Sequence, residues 1–345
     1  MRTMHASSHI PQGLRSITHR LDCRGMCLRH RCSSAVGILL ARDFTPHGLR
    51  SNTCRLDCGG MPVRHRCSSA VQSTHILTGR DFAGLASEAI KTGSVLDLAQ
   101  SRVELHEPFK LGSDEVLRIT GGTIVGDGHS IFQVQTSRKG LLELRECELQ
   151  HLPCLERSTQ SSLGAALFAR GKARVALHGC SISSQAGFGV WLVQKAWVEL
   201  HGCTLPRSGR SSIVAFENAR LDVCDSLLSD GTPHAICARG DARVRVRATR
   251  IERAEVRAIY IYHSAQLDVH SSTISGSRHA EVAAIQVDSL RPGDEGQVTL
   301  AACNIFADNA GGDLSVTGNV KRYVDGEVDA RVATDFGVFS WRSRY

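Results

Sequence analysis

A pattern of apolar and small residues returns every 23 positions along this chain and dictates most of what it can fold into. It reads Val175-x-Leu177-x-x-Cys180-x-Ile182, Val198-x-Leu200-x-x-Cys203-x-Leu205 and Leu221-x-Val223-x-x-Ser226-x-Leu228. It continues as Val244-x-Val246-x-x-Thr249-x-Ile251 and Leu267-x-Val269-x-x-Ser272-x-Ile274. A unit this short cannot bury its own apolar face, so each must stack on its neighbours. We therefore expect a solenoid that uses most of the 345 residues as one elongated body.

Leucine-rich repeats share part of this octad but carry a further leucine three residues before its first apolar position. Here that position holds Lys139, Lys172, Lys195, Asn218, Asp241, Ser264 and Glu295, none of them apolar. A second short apolar strand follows instead, at 167–169, 190–193, 213–216, 236–238, 259–262 and 285–287. The Gly, Ser, Asp and Arg residues between strands suit tight corners. Two or three short strands per turn, with no helix, describe a parallel β-helix. Its coils advance by about 4.8 Å, so that like positions pile into ladders. One inward ladder of small side chains is expected at Cys147, Cys180, Cys203, Ser226, Thr249, Ser272 and Cys303.

On these motifs, residues 85–320 resemble the right-handed parallel β-helix repeat proteins of the pectate-lyase-like superfamily. Residues 85–91 read as an amphipathic helix, and 93–122 (GSVLDLAQSRVELHEPFKLGSDEVLRITGG) are similar to the opening coils of those proteins, whose open end a helix covers. The fold class expected is all-β, a right-handed parallel β-helix solenoid with a short N-terminal capping helix. Its domains would be a leader over 1–75, the β-helix over 76–324 and a tail or cap over 325–345. The superfamily includes lyases, hydrolases, epimerases and non-catalytic interaction domains, so the resemblance by itself assigns no activity.

The formal charge of +7 is unevenly placed. Residues 1–75 hold 11 Arg, no Lys and 3 acidic side chains, which leaves the remainder at −1. The solenoid is thus not expected to bind nucleic acid. Within the leader, 13–36 and 48–71 match at 19 of 24 positions, as a tandem duplication would. Cys23, Cys27, His30 and Cys32 could close a zinc site, but the second copy replaces Cys27 by Pro62 and so does not keep the spacing. The leader also has the Arg- and Ser-rich character of an organelle transit peptide. We read it as a disordered basic extension. The start MRTMHASSHIPQG has no apolar run of signal-peptide length, and no stretch approaches 18 apolar residues. Several later cysteines share the inward ladder, as buried thiols do. An intracellular, cytoplasmic protein with no membrane segment is expected.

Outward columns are where a β-helix builds sites. One column holds Glu143, Ala176, Glu199, Asp222, Arg245, Asp268 and Thr299, with His178 and His201 beside it. It reads as a charge ladder in which Arg245 neutralises Asp222 and Asp268, or else as an acid–base site at Glu199, Asp222 and Arg245. The second-strand columns bring Trp191, Phe216, Arg239, Tyr260 and Tyr262 to one sheet as candidate ligand-binding residues. Alternatively, segments 206–212 or 290–296, or the tail, cover them. The N-T-D, paired-Asp, G-H-G and R-I-K runs of polygalacturonases and the D-P-H-E run of alginate epimerases are absent. The expectation is a non-catalytic scaffold, similar to the β-helix repeats of F-box and Shc-binding adaptor proteins. It would present a rigid face to a protein or polysaccharide partner, with no cofactor and no metal. The alternative is a polysaccharide lyase or glycoside hydrolase acting on an acidic glycan, and calcium enters only there.

Overall fold

The octad is the path of one corner. In the strand Trp197–His201, Val198 and Leu200 are buried and Glu199 points outward. Gly202 then turns the chain with φ 62°, Cys203 returns inward, and Leu205 follows it into the core from the strand Thr204–Leu205. In later coils the same left-handed position is held by Asp225, Ala248 and Ser271, with φ 50°, 47° and 48°. A third strand, Ile213–Phe216, closes each triangular turn, so there are three strands per coil.

The computed structural model describes residues 75–325 except 139, 154–163, 186, 292 and 302, together with the backbone of 329–334 and 337–342. The chain divides into two units, Met1–Ser68 and Ser69–Tyr345. The first, with its zinc and transit-peptide alternatives, lies outside the described residues. In the second, strands stack in parallel at the period read from the sequence: Trp197 pairs with Arg174 below and Arg220 above, and Val190 pairs with Ile213. About ten turns form a mostly β solenoid. Two faces hydrogen-bond into one 18-stranded sheet because the long opening strands Val95–Leu105 and Val116–Asp127 run through their shared corner. The third face is an 11-stranded sheet. No helix among the described residues is long and apolar enough to cross a membrane.

One helix, Gly79–Thr92, covers the first coils. It begins well before residue 85 because Thr78 and Asp81 cap it reciprocally. The Asp81 N–H donates to Thr78 Oγ1 at 3.3 Å, and the Thr78 N–H donates to the Asp81 carboxylate at 3.2 Å. Phe82, Ala86 and Ala89 face the cylinder, and the Phe82 ring lies 5.2 Å from Phe109 and 6.3 Å from Phe132. At the other end the tail extends the third face. Asp329–Thr334 pairs in parallel with Leu314–Gly318, and Gly337–Arg342 returns antiparallel to it.

The inward ladder forms with one correction. Ser226 Oγ accepts from the Cys203 N–H at 3.1 Å and donates to the Cys224 carbonyl at 2.7 Å. Thr249 Oγ1 repeats this, accepting from the Ser226 N–H at 3.4 Å and donating to the Arg247 carbonyl at 2.7 Å. The next coil departs from expectation: Cys303 is exposed, and Asn304 takes the ladder position. Leu300 lies opposite Val269 but Ile305 lies opposite Thr273, so this corner holds one residue more than the corner beneath it. The Asn304 side chain spans the wider corner, accepting from the Ser272 N–H at 3.0 Å and donating to the Val269 carbonyl at 2.8 Å. Along the cysteine part of the ladder, hydrogen bonding to Cys180 and burial push the Cys147 and Cys203 thiols up, and the same hydrogen bonds push Cys180 down.

Candidate functional site

On the third face, Phe216, Arg239 and Tyr262 occupy one column on consecutive coils. The Arg239 guanidinium lies over the Phe216 ring at 4.4 Å. Tyr260 sits two residues before Tyr262, their rings stacked at 5.0 Å and 21°. Arg257 lies over Tyr260 at 4.4 Å and donates to the Gln286 side chain at 2.6 Å, which fixes its direction. The aromatic rings are half-buried and Arg239 is exposed. Burial, with Asp288 nearby, pushes the Tyr260 phenol up to about 12, and burial raises Tyr262 too. Both phenols therefore stay neutral, and the charge around them comes from Arg239 and Arg257 together with Asp288, which lies opposite Tyr262.

Trp191 does not join that group. Its column runs Trp191, Val214, Cys237, Tyr260, and Val214 between them is 2% exposed. The indole packs instead against Phe168 at 5.1 Å and Phe188 at 5.6 Å. Arg210, from one of the segments expected to act as cover, lies 5.8 Å over Phe188. Leu290, from the other, is 66% exposed.

His234 packs 5.3 Å from Tyr260, and burial, reinforced by Arg257, pushes it down to about 4. The folded state thus resists a proton that the unfolded chain accepts near pH 6.5. Stability is complete above that pH and falls as pH drops toward about 4, where folded His234 itself protonates. We expect the melting temperature to fall over this window, and His234→Asn to flatten the fall. A variant with an unchanged profile would refute this role for His234.

The first face carries the acidic column in the expected register: Glu199 neighbours Asp222, Asp222 neighbours Arg245, and Arg245 neighbours Asp268. Arg245 sits between the two aspartates but, among the described residues, makes no close ion pair with either. Asp222 accepts from the Trp197 indole N–H at 2.8 Å, reaching back one coil. Asp268 pairs with His270 on its own strand at 2.5 Å. The Arg245 side chain is exposed. The His178 and His201 rings stack at 5.3 Å and 9°. No group of three or more His, Cys, Asp or Glu side chains among the described residues is placed to hold a metal ion.

A groove of about 630 Å³ at the edge of this face brings together residues that the sequence reading did not join. Arg174, Trp197, Arg220 and Arg243 form one column in register, with Lys172 and Lys195 beside it. Asn218, Asp241, Ser264 and Gln266 complete the lining. The Arg174 guanidinium lies 4.3 Å over the Trp197 ring. The signal was present in the sequence: Lys172, Lys195, Asn218, Asp241 and Ser264 are the column that excluded the leucine-rich repeat. The column two residues further on holds Arg174, Trp197, Arg220 and Arg243.

The family described as right handed beta helix region matches residues 111–321. The A-module of mannuronan C-5 epimerase AlgE4 from Azotobacter vinelandii aligns over 74% of this chain and 92% of that chain, at 10% identity and a TM-score of 0.23. That likeness is too slight to carry an argument. No curated protein matches the chain.

Proposed function

The chain belongs to the right-handed β-helix family, and from that footing we propose that it is a non-catalytic recognition scaffold presenting a rigid β-helix face to a protein or glycan partner. The observation that carries this is the third-face group. Phe216, Tyr260 and Tyr262 stand half-exposed and Arg239 exposed on consecutive coils, with the Arg239 guanidinium over Phe216 and the Arg257 guanidinium, anchored by Gln286, over Tyr260. Rings held on a hydrogen-bonded sheet lose little conformational freedom on binding, and aromatic–arginine surfaces are typical of recognition hot spots. The adaptor-like branch of the superfamily fits this use. The enzyme alternative rests on Glu199 and Asp222, which are neighbours in the ladder, but the Trp197 indole already engages Asp222.

The test is binding and turnover of the full chain on acidic and neutral polysaccharides, with and without calcium. A partner protein isolated by affinity is assayed in the same way. Phe216→Ala with Tyr262→Ala is expected to weaken binding of the glycan or protein at least about tenfold, with no product formed. Full binding by that double variant would remove this face from the function. A calcium-dependent rise in unsaturated-uronide absorbance, lost in Asp222→Ala, would replace the scaffold by a lyase.

A further inference from the structure

We propose that the groove formed by Lys172, Arg174, Lys195, Trp197, Arg220 and Arg243 binds an extended acidic peptide segment of a partner protein. This surface is distinct from the aromatic third face, and either can fail without the other.

The cations of this groove are uncompensated. Several arginines elsewhere on the solenoid are paired, Arg118 and Arg145 with Glu143, Arg250 with Glu252, and Arg253 and Arg278 with Asp230. Single ones such as Arg245 are not, and the groove gathers unpaired cations in one row. Among the described residues none of the five groove cations forms an ion pair, although the solenoid as a whole carries no excess positive charge. Arg220 lies directly opposite Arg243 on the next strand. Like charges in that position destabilise a sheet. The fold therefore holds a local repulsion that an incoming anion would relieve.

The rest of the lining selects the kind of anion. Asp241 stands within the groove, and Asn218, Ser264 and Gln266 are neutral hydrogen-bonding groups. A uniform polyanion, such as a nucleic acid strand or a polyuronate, meets Asp241 with its own charge. A peptide can alternate acidic and neutral side chains to suit the mixture. Dimensions agree with this. From Arg174 to Arg243 is three coil steps, about 14 Å at the inter-strand spacing. In an extended peptide the side chains on one side recur every ~6.8 Å, so residues i, i+2 and i+4 span the row. The guanidinium fork matches a carboxylate in two parallel hydrogen bonds, and Arg and Trp dominate protein–protein hot spots. The strands beneath are paired on both sides, so recognition falls to side chains rather than to addition of a strand.

The experiment is fluorescence anisotropy of the full chain with four labelled probes: a peptide alternating Glu and Ser, its Gln/Ser counterpart, an oligogalacturonate and an oligo(dT). We expect the Glu peptide to bind, the Gln peptide to bind at least about tenfold more weakly, and added salt to weaken the Glu peptide. Arg220→Glu with Arg243→Glu should weaken the Glu peptide about tenfold or more at an unchanged melting temperature, since both side chains are exposed. Arg220→Gln with Arg243→Gln should give a smaller loss, and Tyr262→Ala none. Binding that survives the charge reversal comes from elsewhere, the basic leader included, and overturns the assignment. So does an oligogalacturonate or oligo(dT) that binds more tightly than the Glu peptide, or a Glu peptide that does not bind.

Discussion

Thr249→Val is expected to lower the unfolding free energy by about 2 kcal/mol although it makes the core more apolar. Thr249 is fully buried, and its hydroxyl serves two neighbours at once. It accepts from the Ser226 N–H of the coil below at 3.4 Å and donates to the Arg247 carbonyl at 2.7 Å. Valine fills the same volume but leaves the buried Ser226 amide without its partner, while the Arg247 carbonyl keeps the Asp225 N–H at 3.1 Å. One unsatisfied buried group costs about 1–3 kcal/mol. Thr249→Ser keeps both bonds and removes one methyl, so its loss should be about 1 kcal/mol or less. The order is the test: in urea unfolding valine must be the worse of the two, and amide exchange at Ser226 must quicken in the valine variant alone. If serine proves as damaging as valine, the ladder is held by packing and the hydrogen-bonded column is incidental.

Gly171→Ala should be costlier still, at about 3–5 kcal/mol. Gly171 turns the corner after the third face with φ 77°, and a Cβ there would lie 2.0 Å from the Thr136 carbonyl oxygen. That oxygen cannot swing aside freely because it accepts the Lys172 N–H at 2.8 Å. The equivalent corners one and two coils on are turned by Gln194 and Glu217, with φ 65° and 62°. A left-handed residue with a side chain is thus tolerated at this corner, and the close backbone approach makes Gly171 different. Gln194→Gly provides the contrast: it should be neutral or stabilising by up to about 1 kcal/mol, since it removes only the left-handed penalty. Thermal unfolding of both variants decides. A Gly171→Ala protein within about 1 kcal/mol of the parent would mean that the corner relaxes.

Thr249 lies within the octad, and Gly171 lies at the corner just before one. A period of 23 residues, with inward positions that alternate along each strand, leaves one way to stack the coils. The hydrophobic requirement therefore fixed which residues face the core, and with them the columns of both outward faces. Phe216, Arg239 and Tyr262 could be aligned by counting because parallel pairing turns sequence period into spatial adjacency. The helix start is set by the Thr78–Asp81 capping box, a polar signal that lies outside the apolar face and puts the first turn six residues before residue 85.

Counting could not supply the direction of side chains or the effect of one added residue. Asn304 displaced Cys303 because a single insertion in a corner slips the following strand, and only backbone pairing reveals on which side of the corner the slip falls. Adjacency put Arg245 between two aspartates, yet contact depends on side-chain direction and reach: the Trp197 indole hydrogen-bonds to Asp222, and His270 approaches Asp268. Trp191 shares a column with Tyr260 but packs with Phe168 and Phe188, because ring contacts depend on how far each side chain leans across coils. The sequence by itself determined the solenoid, its coil length and its columns, since these follow from burying a periodic apolar face. Only the tertiary structure decided which charges in those columns are paired and which stand free, because pairing depends on angle and reach between coils, and a linear pattern carries neither.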